Sequence, residues 1–451
     1  MRISNKDFPL LFAFTFIISI HKISYAIDAI TPIQTLRDGE TMVSSDGTFE
    51  LGFFRNENSK NRYVGIWYKR ITVMTVVWVA NREVPLTNTS GLLKVIKPGL
   101  LVLQNDTNGV IIWSSNTSRT VKTPVAKLLD SGNLVVKDAN DDDDPENFLW
   151  ESFKYPTDTL LPGMKFGWNF KTGHEVYLSS WKSKDDPASG DFTYHFDPTG
   201  YPQRVLKRGS NVTFKSGPWN GLRFSGTPNL NPFYKCKVVL NKNEAYFTYE
   251  LLNKSIFSRV TLSESPMNAV AQRLNWVDMT QGWVAYITSP TDNRDMTNWS
   301  SECVRRTPLN CTNGDAFLKY SGIKLPDTRY SRFNESMTLE ECKVVCLKNC
   351  SCMAYTNLNT STGESGCLLW FKELINIQKL SEDGQDIYIR MASSEQGSFH
   401  HLEAIHLYLH IKFCRAKRKK KRNSRSKLVT VDRNSSSWSE FNALSTKKEE
   451  E

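Results

Sequence analysis

The sequence predicts a mainly β protein that ends in a small, cysteine-rich α+β module. Between residues 27 and 300, short runs alternate apolar and polar positions, which is typical of half-buried strands. Gly, Pro, Asn, Asp and Ser separate these runs at regular intervals, as turns do in sandwiches and barrels. Seven of the nine cysteines fall within 303–367, and the clearest helical pattern lies in the same segment.

Residues 1–26 have the features of a signal peptide. Arg2 and Lys6 form a basic start, Phe8–Ile20 is an apolar core, and the small residues Ser24 and Ala26 precede a cleavage site. The apolar core is shorter than the ~20 residues that a membrane span needs. We therefore expect a secreted, extracellular chain.

Residues 27–150 are predicted to form the first β domain. Four tryptophans, Trp67, Trp78, Trp113 and Trp150, recur in similar contexts, which indicates an internal repeat with one tryptophan on each wall of a shared core. The strand-like runs are Thr48–Phe54, Tyr63–Tyr68, Val76–Ala80, Leu100–Gln104, Val110–Ser114 and Leu134–Lys137.

Residues 151–300 continue the strand pattern and are predicted to form a second β domain. In 303–392, the spacing of apolar residues from Leu339 to Leu347 predicts a helix, and Thr338 with Glu341 forms a capping box at its start. Strand-like runs flank this helix. Residues 393–451 form a basic, low-complexity tail.

The net charge of +10 lies at the ends of the chain. Residues 412–451 carry a net +8 and residues 1–26 a net +2, so the part between them is neutral. Charge therefore gives no support to nucleic-acid binding.

Ten N-x-S/T triplets are typical of a glycosylated surface in the secretory pathway. We predict glycosylation at Asn88, Asn105, Asn116, Asn211, Asn253, Asn298, Asn310, Asn334, Asn349 and Asn359. In that oxidising compartment, the clustered cysteines predict disulfides rather than a zinc site.

Several stretches resemble the plant S-domain receptor-like kinases. TPIQTLRDGETMVSSDGTFELGFF, VVWVANRE and WESFKYPTDTLLPGMK are similar to their bulb-type lectin domain, and SGPWNGLRFSG to their S-locus glycoprotein domain. ECKVVCLKNCSCMAY and DGQDIYIR resemble their PAN/apple module. The resemblance implies two β-prism lectin-like domains followed by a small, disulfide-rich PAN/apple module.

The resemblance also implies a disulfide pattern. It suggests the pairs Cys342–Cys367 and Cys346–Cys352, and Cys311–Cys350 then remains as a third pair. Cys236, Cys303 and Cys414 are left over.

The chain departs from this family in three ways. The EGF-like segment before the PAN module is missing or cut to a stub, and no transmembrane helix or kinase motif follows the module. We expect a secreted ectodomain; a truncated model of a receptor serine/threonine kinase, placed at the cell-surface membrane in a longer form, is the alternative.

A mannose site of the Q-x-D-x-N-x-V-x-Y type is the next candidate. Gln104, Asp106, Asn108 and Val110 match the pattern, but they fall across a predicted turn. In the register Leu129, Ser131, Asn133, Val135, Lys137, only Asn133 and Val135 keep the family residue types. We interpret this second set as a degenerate lectin site.

The resulting hypothesis is an extracellular recognition module, not an enzyme, with no cofactor or metal site. The family resemblance implies recognition of pollen or other extracellular signals through a peptide or protein ligand, with Lys207, Arg208 and Phe214 as exposed contacts on the second β domain. A membrane-bound S-domain receptor is another partner to consider, and homodimer formation stays open. An active mannose-type lectin is the alternative that would bind glycans.

Overall fold

The computed structural model describes residues 27–289, apart from 118, 229–232, 254 and 265–268, and residues 309, 311 and 314–392, apart from 362–364 and 381–383. The predicted signal peptide, the shortened junction before the PAN module and the basic tail lie outside the described residues. Among those described, one compact unit comprises 27–198, 202–216 and 227–289, and a second comprises 199–201, 217–226 and the residues from 309 onward.

The first half of the first unit is a β-prism built from three four-stranded antiparallel sheets. One sheet has the order β3 (Thr41–Val43), β4 (Phe49–Phe54), β5 (Tyr63–Tyr68), β6 (Val76–Val79). The next has β2 (Thr35–Arg37), β7 (Gly91–Ile96), β8 (Leu100–Asn105), β9 (Ile111–Ser114). The third has β1 (Ala29–Ile30), β10 (Pro124–Leu128), β11 (Leu134–Asp138), β12 (Trp150–Glu151).

Three tryptophans, one from the last strand of each sheet, pack around a common centre. The ring centroids of Trp78, Trp113 and Trp150 lie 5.6–5.9 Å apart, and each pair meets edge to face. This geometry favours aromatic rings because a ring edge is positive and a ring face is negative. The predicted repeat is confirmed for these three residues.

Trp67 does not belong to this cluster, contrary to our prediction. It lies on β5, in the interior of its sheet, where its indole N–H donates to Glu50 at 3.1 Å and its ring packs edge to face with Phe54. Trp67 therefore occupies a different structural position from the other three tryptophans, although its sequence context is similar.

The second half of the first unit is also built from three four-stranded antiparallel sheets. The first has the order β13 (Thr159–Leu160), β22 (Ser258–Glu264), β23 (Ala269–Val277), β24 (Gly282–Ser289). The second has β15 (His174–Val176), β14 (Phe166–Asn169), β21 (Glu244–Leu251), β20 (Tyr234–Leu240). The third has β16 (Leu178–Ser183), β17 (Asp186–Asp197), β18 (Gln203–Arg208), β19 (Asn211–Pro218). Two successive β-prisms agree with the predicted fold class.

The second unit is a six-stranded antiparallel sheet with one helix among the described residues. The sheet order is β26 (Ser331–Asn334), β28 (Ser365–Trp370), β27 (Ala354–Asn359), β30 (Gln385–Met391), β25 (Ala316–Lys324), β29 (Gln378–Lys379). The helix α1 spans Leu339–Lys348 and begins at the predicted capping box, with Glu341 Oε2 accepting from the Thr338 N–H at 2.8 Å.

The helix α1 is fixed to the sheet by disulfides and by a buried arginine. Cys342 and Cys346, both on α1, are fully buried, and they form disulfides with Cys367 and Cys352. Arg390 donates to the carbonyl oxygens of Leu347 and Asn349 at 3.0 and 2.9 Å, where the helix ends. These contacts supply partners for carbonyls that a helix leaves unpaired at its C-terminus.

Candidate functional site

The lectin register around Asn133 is built into the protein interior. Gly132, in a left-handed conformation with φ +83°, turns the chain into β11, and a Cβ there would approach the Phe49 ring within 2.9 Å. Asn133 then lies buried, with 5% of its surface exposed. Val135, two residues on, is fully buried.

The Asn133 side chain is already committed to hydrogen bonds within the protein. Its Oδ1 accepts from the Ser152 hydroxyl and from the Phe153 N–H, both at 3.1 Å, and its Nδ2 donates to Glu151 at 2.9 Å. These bonds link β11 to the segment after β12. Asn133 is therefore placed as a structural residue, and a sugar would have to displace three partners to reach it.

The other match to the mannose pattern crosses a turn, as predicted. Gln104 lies near the end of β8, whereas Asp106 and Asn108 lie in the turn before β9. Asp106 forms an ion pair with Arg37 at 2.6 Å, and Asn108 accepts from the backbone N–H of Val110 at 3.1 Å. These side chains do not share one strand face, which is the geometry that the pattern requires.

The predicted ligand contacts lie on the β18–β19 hairpin of the second prism. Arg208 is exposed and pairs with Asp191 at 3.1 Å, and its guanidinium lies 5.4 Å from the centre of the Phe192 ring. Lys207 and Phe214 are half-buried rather than exposed. Lys207 pairs with Thr193 of the neighbouring strand β17, and Arg208 with Phe192.

A cavity of about 540 Å³ lies beside the tryptophan cluster of the first unit. Both prisms contribute to its lining, and its aromatic members are Trp78, Trp113, Trp150, Tyr155, His174 and Tyr177. Tyr155 and Tyr177 are 45% and 41% exposed, so solvent reaches the cavity. No sequence pattern predicted this cavity, because its lining residues come from segments that are distant in the sequence.

Aromatic stacking and backbone hydrogen bonds hold the cavity wall. The rings of Trp150 and Tyr155 are stacked, with centroids 5.9 Å apart and 8° between their planes. The Trp78 indole N–H donates to the Tyr155 carbonyl oxygen at 2.9 Å, and a ring nitrogen of His174 lies 2.8 Å from the Lys154 carbonyl oxygen. These contacts hold the cavity wall in place without a ligand.

The charged residues of the cavity are paired within the protein. Arg82 donates to the carbonyl oxygens of Pro187 and Ser180 at 2.6 and 3.0 Å, and burial lowers its pKa. Lys154 pairs with Glu151 at 3.0 Å, and Glu175 lies 2.8 Å from a ring nitrogen of His195. The cavity therefore presents aromatic and neutral polar surface, which suits an uncharged ligand.

Most of the cysteines and of the predicted glycosylation sites lie in the described part of the chain. The structure pairs Cys311 with Cys350, Cys342 with Cys367 and Cys346 with Cys352, the pairs that the resemblance implied, and Cys236 is unpaired. Asn88, Asn116, Asn211, Asn253, Asn334 and Asn349 are exposed, and Asn105 and Asn359 are half-buried. Asn298, Asn310, Cys303 and Cys414 lie outside the described residues.

Within the described part of the chain, no group of three or more His, Cys, Asp or Glu residues could hold a metal ion. The same part contains no helix long and apolar enough to cross a membrane.

Three family models match the chain in the expected order. A D-mannose binding lectin model matches residues 75–182, an S-locus glycoprotein domain model 214–319, and a PAN-like domain model 311–377. Two lectin-like prisms and a PAN-like module define the class of S-domain recognition modules.

Relatives with the same organisation identify the family. The chain is 36% identical over 413 residues to S-locus-specific glycoprotein S6 of Brassica oleracea, covering 82% of this chain and 93% of that protein. The chain therefore belongs to the S-locus glycoprotein family, which confirms the predicted family and supports the predicted extracellular location.

Two further matches are a longer protein and a solved structure of lower sequence identity. The chain is 36% identical over 400 residues to receptor-like serine/threonine-protein kinase SD1-8 of Arabidopsis thaliana, covering 80% of this chain. It spans only 46% of that kinase's length. A monomeric mannose-binding lectin of Gastrodia elata matches with 18% identity and a TM-score of 0.21, over 28% of this chain and 96% of the lectin.

Proposed function

We propose that this chain acts by binding an extracellular peptide or protein ligand on the β18–β19 hairpin of its second prism. The observation that carries the proposal is the exposed Arg208 beside half-buried Lys207 and Phe214. Arginine and aromatic residues are enriched at protein-binding surfaces, and the Arg208 guanidinium lies 5.4 Å from the centre of the Phe192 ring. The buried, internally bonded Asn133 argues against sugar binding at the degenerate lectin register.

The position of the hairpin also supports this proposal. β19 lies at the end of the strand order of its four-stranded sheet, and its first two residues, Asn211 and Val212, are exposed. Val212 on this strand is 44% exposed and offers apolar contact area. A membrane-bound S-domain receptor and a second copy of the chain are alternative protein partners for the same hairpin.

The test is a parallel screen of the full secreted chain against a display library of small, disulfide-rich secreted peptides and against a glycan array. We expect peptide binding that weakens at least about tenfold in the double variant Lys207→Glu, Arg208→Gln, because steering and contact charges are lost. Lys171→Glu, an exposed lysine in the β14–β15 turn, is the matched control. Peptide binding that is unchanged in the double variant would place the site elsewhere.

An active lectin is the second candidate function. The match to the D-mannose binding lectin model favours it. Binding of mannose-terminated glycans on the array, without any peptide hit, would replace the peptide proposal with this one.

A further inference from the structure

The cavity beside the tryptophan cluster has a predicted glycosylation site in its lining. We propose that an N-linked glycan on Asn116 folds back into this cavity, with its first N-acetylglucosamine units packed against Trp113 and Tyr155. The chain's own glycan, rather than a free ligand, would then cover the aromatic surface between the two prisms.

Asn116 is positioned for this role. It follows β9 directly, two residues after the strand ends and three after Trp113. Its side chain lines the cavity, is exposed, and makes no hydrogen bond to any residue within the described ranges. The triplet Asn116-Thr117-Ser118 is a glycosylation acceptor. A glycan attached here starts at the cavity wall.

The chemistry of the cavity fits a sugar with an acetamide group. The aromatic rings offer flat apolar faces for the C–H groups of a pyranose. The indole N–H groups of Trp113 and Trp150 have no hydrogen-bond partner among the described residues, whereas that of Trp78 is bonded to Tyr155. An indole N–H can only donate, and the carbonyl oxygen of an N-acetyl group is a suitable acceptor.

Size and charge agree with this occupant. A volume of about 540 Å³ is within the range of small-molecule sites and leaves room for more than one sugar ring. Arg82, Lys154 and Glu175 are all paired inside the protein, so a neutral glycan core leaves no charge unmatched.

Because the glycan is covalently attached next to the cavity, weak binding is sufficient to keep it docked there. A short flexible tether gives an effective concentration of about 1 mM. A glycan core with an intrinsic dissociation constant of about 0.1 mM would then be docked about nine-tenths of the time.

Other sequons lack these features and serve as internal controls. Asn88 and Asn253 are exposed and do not line the cavity. Their Oδ1 atoms accept from the backbone N–H groups of Ser90 at 3.1 Å and Ser255 at 2.9 Å, so each is held in a local turn. Glycans at these positions should stay in solvent.

The experiment compares how fast a peptide N-glycosidase releases each glycan from the folded, secreted protein. Site-resolved mass spectrometry should show release from Asn116 that is roughly tenfold slower than from Asn88 or Asn253, because release requires the docked core to leave the cavity. The three rates should become equal after denaturation. An unmodified Asn116, or equally fast release from the native protein, would overturn the proposal.

Two variants sharpen the test. Trp113→Phe keeps an aromatic face but removes one indole donor, so it should accelerate release at Asn116 only; an unchanged rate would contradict the docked geometry. Asn116→Gln removes the glycan and should increase hydrogen exchange at 111–117 and 150–157. Millimolar N,N′-diacetylchitobiose should restore that protection in Asn116→Gln and have no effect on the glycosylated wild type. Protection of the wild type by the added sugar would show an empty cavity and overturn the proposal.

Discussion

At the scale of single residues, Asn133 shows how a sugar-binding position can serve the fold instead. Its amide accepts two hydrogen bonds and donates one, all inside the first prism. We expect Asn133→Ala to lower the free energy of unfolding of the first unit by about 2–4 kcal/mol, because the buried Phe153 N–H and Ser152 hydroxyl lose their acceptor.

The measurement is urea unfolding followed by tryptophan fluorescence. Asn108→Ala, in the exposed turn before β9, is the control and should cost less than about 1 kcal/mol. If Asn133→Ala left stability unchanged but abolished binding on a mannose array, Asn133 would be a sugar contact and the structural interpretation would be wrong.

Lys324 is a buried lysine in the second unit, with 4% of its surface exposed. Burial lowers its pKa to about 8, while Asp327 acts in the opposite direction. In the unfolded chain the pKa is the ordinary 10.5, so below pH 8 both states are protonated and the folded state bears the full cost of the buried charge. That cost falls as pH rises from about 8 to 10.5.

We therefore expect Lys324→Met to stabilise the second unit at pH 6 by up to about 3 kcal/mol, partly offset by loss of the 3.3 Å hydrogen bond to Asn376. The advantage over wild type should shrink between pH 8 and pH 9.5. Lys343→Met, on α1 where 44% of the lysine side chain is exposed, should show no such trend. Denaturant unfolding at three pH values measures both, and a pH-independent difference would contradict the assignment.

At the scale of elements, Arg390 connects strand β30 to the end of α1. Besides the carbonyl oxygens of Leu347, Asn349 and Cys352, Arg390 contacts Asp315, which lies 3.4 Å from its Nε, and both side chains are almost completely buried. We expect Arg390→Met to lower the melting temperature of the second unit sharply, with a loss of about 3–5 kcal/mol, because Asp315 would remain buried without its cation.

The double variant Arg390→Met, Asp315→Asn separates charge from packing. It should recover part of the loss, since no unpaired buried charge remains. A double variant as unstable as the single one would show that the bonds to the Leu347 and Asn349 carbonyls, rather than the ion pair, hold the helix.

Local signals predicted the elements well, and distant contacts were not predictable. The Thr338–Glu341 capping box fixed the start of α1, because both partners lie within one helical turn. Period-two alternation located six strands of the first prism, namely β4, β5, β6, β8, β9 and β11. In contrast, the separation of Trp67 from Trp78, Trp113 and Trp150 depends on which strand ends each sheet, and sequence context alone does not carry that information.

For the candidate sites too, local features were predictable from the sequence, and contacts between distant residues were not. The turn at Asp106 and Asn108 was predictable from the sequence, and the structure places both residues in that turn. The cavity could not be predicted, because its lining residues, Trp113 and Tyr155 among them, come from separate parts of the sequence. Lys207 and Phe214 were predicted to be exposed and are half-buried, because the coverage of a strand residue depends on neighbours that local sequence does not identify.

At the scale of the whole molecule, the two units depend on different forces. Cys236 is the only cysteine in the sequence between residues 27 and 295, so the first unit relies on its aromatic and aliphatic cores. The second unit carries three disulfides whose cysteines are separated by 39, 25 and 6 residues. On the chain-entropy account, loops of these lengths contribute about 2–4 kcal/mol each.

We therefore expect scanning calorimetry to resolve two transitions, of which only one responds to reducing agent. Reduction should abolish the transition of the second unit, because a small module with one helix and one sheet has too little core to fold without its cross-links. The transition of the first unit should stay in place, and Cys236→Ser should leave it unchanged with or without reductant. Hydrogen exchange on the reduced protein assigns the surviving transition: protection should persist in β4, β8 and β11 and disappear in α1 and β27. Simultaneous loss of both transitions on reduction would show that the first unit cannot stand without the second, and the division of stabilising forces would be wrong.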